Sequence, residues 1–217
     1  MFKKRVGITQ RVIKHPRYSE TMDCLDINWA KFLMSIGIMP VPLSLATVTS
    51  ADKIWKTLDL DGLILSGGNT LVEYADAKDA PESLSPERDA YEKALLNSAL
   101  SQRKPILGVC RGLQVINTHY FGQLTKVKGH AGTRHRLVAE NSSTAFELPL
   151  EVNSFHECAV PRKKLGKELI PLAHDGEDNI EAFYHPKDKI LGIMWHPERE
   201  HPPLPRDCEL IKRHFGL

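Results

Sequence analysis

Long hydrophobic runs are absent from this sequence of 217 residues. No stretch approaches the roughly 18 consecutive apolar residues that a membrane-spanning helix needs. The basic start at residues 1–5 leads directly into a short strand-like run at residues 6–9 rather than into the apolar centre of a signal peptide. We therefore expect a cytoplasmic protein that does not insert into a membrane.

Cysteine is scarce, and its spacing forms no Cys-X-X-Cys pair and no set of zinc ligands. The four cysteines are Cys24, Cys110, Cys158 and Cys208. Without an export signal they are best interpreted as reduced thiols, so a disulfide-stabilised module is not expected. Any functional cysteine has to be recognised by its local context.

An excess of charge of one sign is also absent. The sequence has 29 Lys and Arg against 27 Asp and Glu, a formal net charge of +2, and the basic residues are scattered among acidic ones. This distribution argues against a nucleic-acid-binding surface. His130 and His135 lie five residues apart without a third ligand at suitable spacing, so we interpret them as surface or substrate-contact histidines. No metal and no organic cofactor is expected.

Short apolar segments rich in β-branched residues alternate with helical patterns, and no repeat or linker interrupts them. Strands are predicted at residues 5–9, 62–65, 105–109 and 190–194, and helices at about 20–37, from 86 onward, at 111–121 and at 205–215. Between about 124 and 184 the segments shorten, as at 151–153 and 180–183, which indicates antiparallel additions to the main sheet. We predict one α/β domain over residues 1–217, a three-layer sandwich with a mostly parallel central sheet.

The predicted strand at 105–109 runs into Gly108-Val109-Cys110-Arg111-Gly112 and then into a helix. This is the cysteine version of a nucleophile elbow, whose strained turn requires residues without a Cβ two positions before and after the nucleophile. The turn places the sulfur at a helix N-terminus, which favours the thiolate. A buried core cysteine between incidental glycines is the alternative, and it is the better interpretation only for the other three cysteines.

A thiolate nucleophile needs a base, and that base needs an orienting group. Among ten histidines, His196 stands out because it ends an apolar strand and Glu198 follows two residues later. If this strand is parallel to the one before Cys110, both side chains lie at the same edge of the sheet. By itself a His-Pro-Glu triplet is more often a strand-end turn with a solvated carboxylate.

The segment Leu65-Ser66-Gly67-Gly68-Asn69 follows another predicted strand. Backbone N–H groups in such a turn can bind the oxyanion that forms when a thiolate attacks a carbonyl carbon. A Gly-Gly pair is usually only a turn, but this one lies after a strand and upstream of the elbow. We therefore expect it to contribute to the oxyanion hole.

Together these motifs resemble the class I glutamine amidotransferase-like superfamily, specifically its γ-glutamyl hydrolase branch of the peptidase C26 type. The resemblance spans most of the chain and rests on Gly7-Ile8-Thr9, Ser66-Gly67-Gly68, Arg88-Asp89, residues 104–117, Asn153-Ser154-Phe155-His156 and residues 192–198. A flavodoxin-like fold is implied. The resemblance also implies the roles of single residues: Cys110 as nucleophile, His196 as base and acid, Glu198 as orienting carboxylate, Gly68 and the amide of Arg111 as oxyanion hole, and Gln114 and the turn Ser154-Phe155-His156 as contacts of the glutamyl group. Asn69 is expected to contact the substrate as well.

Within this branch, residues 9–29 resemble the γ-glutamyl-CDP-amidate hydrolases of bacterial capsular phosphoramidate synthesis, which release cytidine diphosphoramidate. Residues 121–124 depart from the two glycines that many relatives carry there.

The predicted loop at 11–18 follows the first strand at the ligand-binding edge and carries Arg11, Lys14 and Arg17. These cations are able to bind a diphosphate, although a mixed charge run is more commonly a solvated loop.

We expect a cysteine hydrolase that releases glutamate from a small-molecule γ-glutamyl amide. Three alternatives stay open: a general γ-glutamyl amine hydrolase, a glutaminase subunit that depends on a separate synthetase, and a non-catalytic binding protein on the same fold. A homodimer and association with upstream pathway enzymes also stay open.

Overall fold

The computed structural model describes residues 2–15, 17–77, 79–140 and 146–217. The strands are β1 Lys4–Thr9, β2 Arg11–Lys14, β3 Thr21–Cys24, β4 Ile38–Leu43, β5 Gly62–Leu65, β6 Ile106–Val109, β7 Thr125–Lys126, β8 Ala131–Arg136, β9 Val138–Ala139, β10 Glu151–Phe155, β11 Cys158–Ala159, β12 Ile170–His174, β13 Ile180–His185 and β14 Ile190–Ile193. The α-helices are α1 Ile27–Ser35, α2 Ile54–Thr57, α3 Pro86–Ser101, α4 Arg111–His119 and α5 Pro205–His214.

The main sheet has eight strands in the order β4-β1-β5-β6-β14-β13-β12-β9. The first five are parallel to one another, and the last three continue the sheet in antiparallel pairs. A mostly parallel sheet with antiparallel additions is therefore confirmed. The carboxyl ends of β1, β5, β6 and β14 meet at one edge, where parallel sheets place their ligand sites.

Helices cover both faces of this sheet, so the predicted three-layer architecture is confirmed. On one face α3 and α4 contribute Leu95 and Ile116 to the core. On the other face α1 and α5 contribute Trp29, Leu33 and Ile211. Over the described residues, no helix is both long enough and apolar enough to cross a membrane.

Helix α3 forms where its sequence predicts it. The Ser85 hydroxyl accepts a hydrogen bond from the Arg88 amide, and Pro86 occupies the first turn, where its missing N–H has no cost. Tyr91, Leu95 and Ala99 are buried at the four-residue spacing of one helix face.

The prediction of a helix over residues 20–37 is wrong in its first part. Residues Thr21–Cys24 form β3, which pairs with β2 as a hairpin, and α1 begins only after Asp26 caps the Asn28 amide. The predicted loop at 11–18 is thus largely one arm of this hairpin. Asn69 fixes the arm, because its side-chain amide accepts from the Val12 N–H at 2.8 Å and donates to the Val12 carbonyl at 3.0 Å.

Two further corrections concern strands. Residues 151–153 do not join the main sheet, because β10 pairs with β8 in a separate two-stranded ribbon. Strand β4 was not predicted from the sequence, because it contains Pro40 and Pro42. Proline cannot donate to a sheet, but β4 is an edge strand and pairs only with β1, so the missing donors are tolerated there.

Candidate active site

Cys110 lies in the sharp turn between β6 and α4, with φ 53° and ψ −106°, and its amide donates to the Ile193 carbonyl at 2.8 Å. Both flanking glycines are sterically required. A Cβ on Gly112 would overlap the Leu65 carbonyl oxygen, and one on Gly108 would lie 2.7 Å from the backbone of Gly112. The geometry is that of a nucleophile elbow, as the glycine spacing predicts.

His196 follows β14, which is parallel to β6 in a register that pairs Ile193 with Val109. This register brings the end of β14 beside the elbow. His196 Nδ1 lies 2.7 Å from Glu198 Oε1, and both side chains are buried. Since a carboxylate only accepts, Nδ1 carries the proton of that hydrogen bond, which leaves Nε2 unengaged by Glu198. The His196 ring and Cys110 lie on the same side of Gly67, where an added Cβ would be 3.4 Å from Nε2 and 3.6 Å from Cys110 Cβ.

Burial raises the pKa of the Cys110 thiol, but the charge and hydrogen bond of His196, the charge of His156 and the Arg111 amide outweigh burial and hold the pKa below its usual value. Burial lowers the pKa of His196, but the neighbouring Glu198 and Cys110 raise it to about 9. The site therefore favours a thiolate beside an imidazolium. Burial raises the pKa of the Cys158 thiol, which makes that thiol a poor nucleophile.

The predicted oxyanion donors lie close to this sulfur. Gly68 has φ +83° in the turn after β5, and the Arg111 amide begins α4 directly after Cys110, where it contributes to lowering the pKa of the thiol. Gly67 packs against His196, since a Cβ there would lie 2.6 Å from His196 Cε1. The turn thus lies directly beside the elbow.

Arg88 anchors the turn at Ser66-Gly67-Gly68, a role that the sequence did not predict. Its guanidinium donates to the carbonyls of Ser66 at 3.0 Å, Gly67 at 3.1 Å and Gly68 at 2.5 Å. The Arg111 side chain points away from the sulfur and pairs with Glu92, which also pairs with Arg88. A buried ion-pair network beneath the elbow therefore fixes both candidate oxyanion donors.

The predicted glutamyl contacts divide into two groups. Gln114, Phe155 and His156 line a cavity together with Cys110; we name it the cysteine-side cavity. Asn69 also lines it, although its side-chain amide is engaged with the hairpin. Ser154 does not line this cavity, and its buried hydroxyl donates to the His130 carbonyl at 2.5 Å, so any contact of this residue with the glutamyl group would have to come from its backbone.

A second cavity, the histidine-side cavity, lies against His196 and Gly68 and is lined by Arg11. Arg199, which the sequence analysis did not single out, also lines it. Arg17 is not among the residues recorded along either cavity, and its backbone amide donates to the His15 ring. Lys14 lines neither cavity, so of the three cations predicted to bind a diphosphate the fold brings only Arg11 to the site.

His130 and His135 were predicted to be surface or substrate-contact histidines; His130 is buried, so the surface alternative is wrong for it, and the substrate-contact alternative stays a prediction. His130, His156 and Glu181 each offer a ligand atom, and these atoms lie within 4.8 Å of one another. Two imidazoles and a carboxylate are a donor set that can hold a divalent metal such as zinc. Sequence spacing did not indicate this group, because His156 follows β10 and Glu181 lies on β13, both far from His130 in the sequence.

Comparisons with known proteins agree with this fold and motif pattern. The Peptidase C26 family model matches residues 5–198. A γ-glutamyl-CDP-amidate hydrolase of Campylobacter jejuni is 34% identical over 215 residues, which cover 98% of each chain.

Two solved structures share the fold. A glutamine amidotransferase of Thermotoga maritima superposes with a TM-score of 0.65 at 16% identity, over 100% of this chain and 85% of that one. A glutamine amidotransferase of Methylobacillus flagellatus has a TM-score of 0.57 at 16% identity and covers 96% and 76%. The match along nearly the whole sequence shows that the chain belongs to the peptidase C26 family.

Proposed function

We propose that this protein hydrolyses a γ-glutamyl amide through a covalent thioester on Cys110. The observation that carries the proposal is the strained turn that holds Cys110 at the start of α4, beside the buried and hydrogen-bonded pair of His196 and Glu198. A thiolate with a hydrogen-bonded histidine and an orienting carboxylate is equipped for acyl transfer.

In the first step the thiolate attacks the γ-carbonyl carbon, a C–S bond forms, and the amides of Gly68 and Arg111 bind the oxyanion. The tetrahedral intermediate then expels the amide nitrogen, which takes a proton from the His196 imidazolium. In the second step neutral His196 removes a proton from water, and the hydroxide attacks the thioester. Glutamate leaves and the Cys110 sulfur is released.

The leaving group has to lie against His196, because that ring protonates its nitrogen. The histidine-side cavity is therefore the place for the leaving group, and Arg11 and Arg199 both line it. The Arg199 guanidinium lies 4.4 Å from the Phe155 ring centre, and its Nε is 3.8 Å from Glu198 Oε1, beyond hydrogen-bond distance. Two arginines at this position suit a diphosphate.

The substrate we propose is γ-glutamyl-CDP-amidate, with cytidine diphosphoramidate and glutamate as products. This substrate is supported by the two arginines that line the histidine-side cavity and by the Campylobacter jejuni relative, which aligns with 98% of this chain. The glutamyl group of this substrate would then bind in the cysteine-side cavity, which Gln114 and Phe155 line together with Cys110.

The test is glutamate release measured with γ-glutamyl-CDP-amidate, glutamine, a γ-glutamyl alkylamine and a folyl-polyglutamate. We expect the highest kcat/KM with the nucleotide amidate, none with Cys110→Ala and normal turnover with the control Cys208→Ala. Preference for the alkylamine would instead indicate a general γ-glutamyl amine hydrolase. Glutamine turnover only after addition of a partner would indicate a glutaminase subunit.

A further inference from the structure

A buried carboxylate outside the catalytic residues is surrounded by imidazole rings. Glu181 on β13 is 1% exposed, and His130, His135 and His156 lie around it with ring centroids 4.9, 5.5 and 6.3 Å apart. We name these four residues the Glu181 cluster. It joins the ribbon of β8 and β10 to the main sheet, because the histidines lie on or next to the ribbon and Glu181 lies on β13.

Polar atoms in the Glu181 cluster face one another without forming hydrogen bonds. His135 Nε2 lies 3.1 Å from Glu181 Oε2, and His156 Nε2 lies 3.5 Å from Glu181 Oε1. Across the described parts of the chain, none of these four atoms has a hydrogen-bond partner, nor has His130 Nδ1, and all five atoms are buried. Burying so many unpaired polar atoms is costly, so the cluster requires a bound ligand.

Asp175 shows what a satisfied carboxylate looks like in the same region. It is also buried, and its Oδ1 accepts from the amides of Glu177 at 2.8 Å and Asn179 at 2.9 Å, while its Oδ2 accepts from the Asn179 side chain at 2.9 Å. Glu181 has no such donors among the described residues. Its oxygens are therefore available to a cation.

The tautomer of His156 favours a metal ion as this cation. Nδ1 lies 3.1 Å from the Cys158 carbonyl oxygen, which only accepts, so Nδ1 carries a proton. A neutral ring then directs the lone pair of Nε2 at the Glu181 carboxylate. Two acceptors in contact need a cation between them, and this contact lacks the geometry of a shared proton. A backbone carbonyl on the other ring nitrogen is also a usual outer partner of a metal-bound histidine.

His130 has outer partners of the same kind. Its Nδ1 lies 4.0 Å from Asp175 Oδ2, and its Nε2 lies 3.8 Å from Glu177 Oε2. Whichever nitrogen binds an ion, the other faces a carboxylate that can orient the ring. One ligand atom each of His130, His156 and Glu181 lie within 4.8 Å of one another. Donor atoms around zinc lie roughly 3.3–3.5 Å apart, so small side-chain movements close the site.

We propose that the Glu181 cluster binds one zinc ion through its three histidines and its carboxylate. These donors fill the four positions of tetrahedral zinc, so the site is structural and leaves no position for a substrate. The ion ties the ribbon to the main sheet and thereby fixes Phe155 and His156, which line the cysteine-side cavity. A metal was not expected from the sequence, because only His130 and His135 lie close together in it.

The affinity of the untagged full chain for zinc tests the proposal. The protein is stripped of metal with a chelator and titrated with zinc against a chromogenic competitor. We expect one zinc ion per chain. Glu181→Gln should raise the Kd for zinc by about a hundredfold or more, since a lost ligand costs at least as much as a lost outer partner. The control Glu209→Gln makes the same change at an exposed position of α5 and should leave the Kd unchanged.

The variant Cys110→Ala shows whether the catalytic thiol binds the zinc instead. We expect this variant to bind zinc as tightly as the wild type, and loss of the ion would overturn the proposal. A wild-type protein that binds no zinc, or an equal Kd in folded Glu181→Gln, would overturn it as well.

If Glu181→Gln fails to fold, the visible absorption of cobalt-loaded Cys110→Ala decides instead. The strong bands of a tetrahedral cobalt ion are expected, and the weak bands of an octahedral ion would contradict the proposal. These measurements use no γ-glutamyl compound, so an incorrect substrate assignment would not affect their outcomes.

Discussion

Asn153 holds the backbone of His196 from both sides of its peptide unit. Its Oδ1 accepts from the His196 N–H at 2.9 Å, and its Nδ2 donates to the His196 carbonyl at 2.8 Å. The side-chain amide therefore replaces a neighbouring strand at the point where β14 has ended. The orientation of His196 depends on this contact as well as on Glu198.

We predict that Asn153→Asp lowers kcat by about tenfold to a hundredfold with little change in KM, since misplacement of a catalytic group costs rate more than binding. The new carboxylate would face the His196 carbonyl and Glu200, which are both acceptors. Steady-state kinetics would be compared with Asn97→Asp, the same charge change on an exposed position of α3. A kcat equal to that of the control would show that the amide pair does not position His196.

His196→Ala should remove nearly all turnover, because the ring carries protons in both steps. Glu198→Gln should cost less, since it disturbs the orientation and charge of the ring but leaves the ring in place. Both variants are assayed for glutamate release under saturating substrate. A mild effect of His196→Ala together with an inert Glu198→Gln would show that the assigned roles are wrong.

The pH dependence of kcat/KM should be bell-shaped. Activity rises as Cys110 loses its proton, at a pH below the usual value for a thiol because the pKa of Cys110 is lowered. Activity falls through about pH 9 as His196 loses the proton that the leaving nitrogen needs, because the pKa of His196 is raised to about 9. A profile that keeps rising to pH 10 would contradict the role of the imidazolium.

Gly112→Ala should destabilise the protein by about 3 kcal/mol or more, because its Cβ would overlap the Leu65 carbonyl oxygen and the packed sheet cannot move away cheaply. The control is Gly176→Ala, where an added Cβ has no neighbour within 4 Å. Urea unfolding of the two variants gives the comparison. Equal stabilities would mean that the turn at the elbow is looser than its geometry indicates.

Arg11→Gln and Arg199→Gln should each lower kcat/KM by about tenfold to a hundredfold for γ-glutamyl-CDP-amidate and much less for glutamine, which has no phosphate. The effect should shrink at high salt. Arg5→Gln makes the same charge change near the start of β1, at the opposite edge of the sheet, and serves as the control. Equal losses on both substrates, or none on either, would remove the nucleotide assignment and leave the γ-glutamyl hydrolase assignment intact.

The parts of the site that sequence alone predicted are those set by local geometry. The elbow is recognisable because Gly108 and Gly112 have to lack side chains within a few residues of Cys110. His196 and Glu198 are separated by one proline at the end of an apolar strand, so their pairing is also local.

The parts that were missed depend on contacts between distant segments. The hairpin of β2 and β3 is held by Asn69, and the cluster around Glu181 joins residues from β8, the end of β10 and β13. No pattern of residue spacing in the sequence predicts these contacts. Arg199 was overlooked because only the fold places it in the same cavity as Arg11.

The central claim is that Cys110 carries the glutamyl group during turnover. Rapid acid quench of the protein with γ-glutamyl-CDP-amidate, followed by mass spectrometry, tests it most directly. We predict that the peptide containing Cys110 gains the mass of one glutamyl group, that the adduct is released by hydroxylamine, and that it is absent from Cys110→Ala. Full turnover by Cys110→Ala, or an adduct on another residue, would contradict the mechanism.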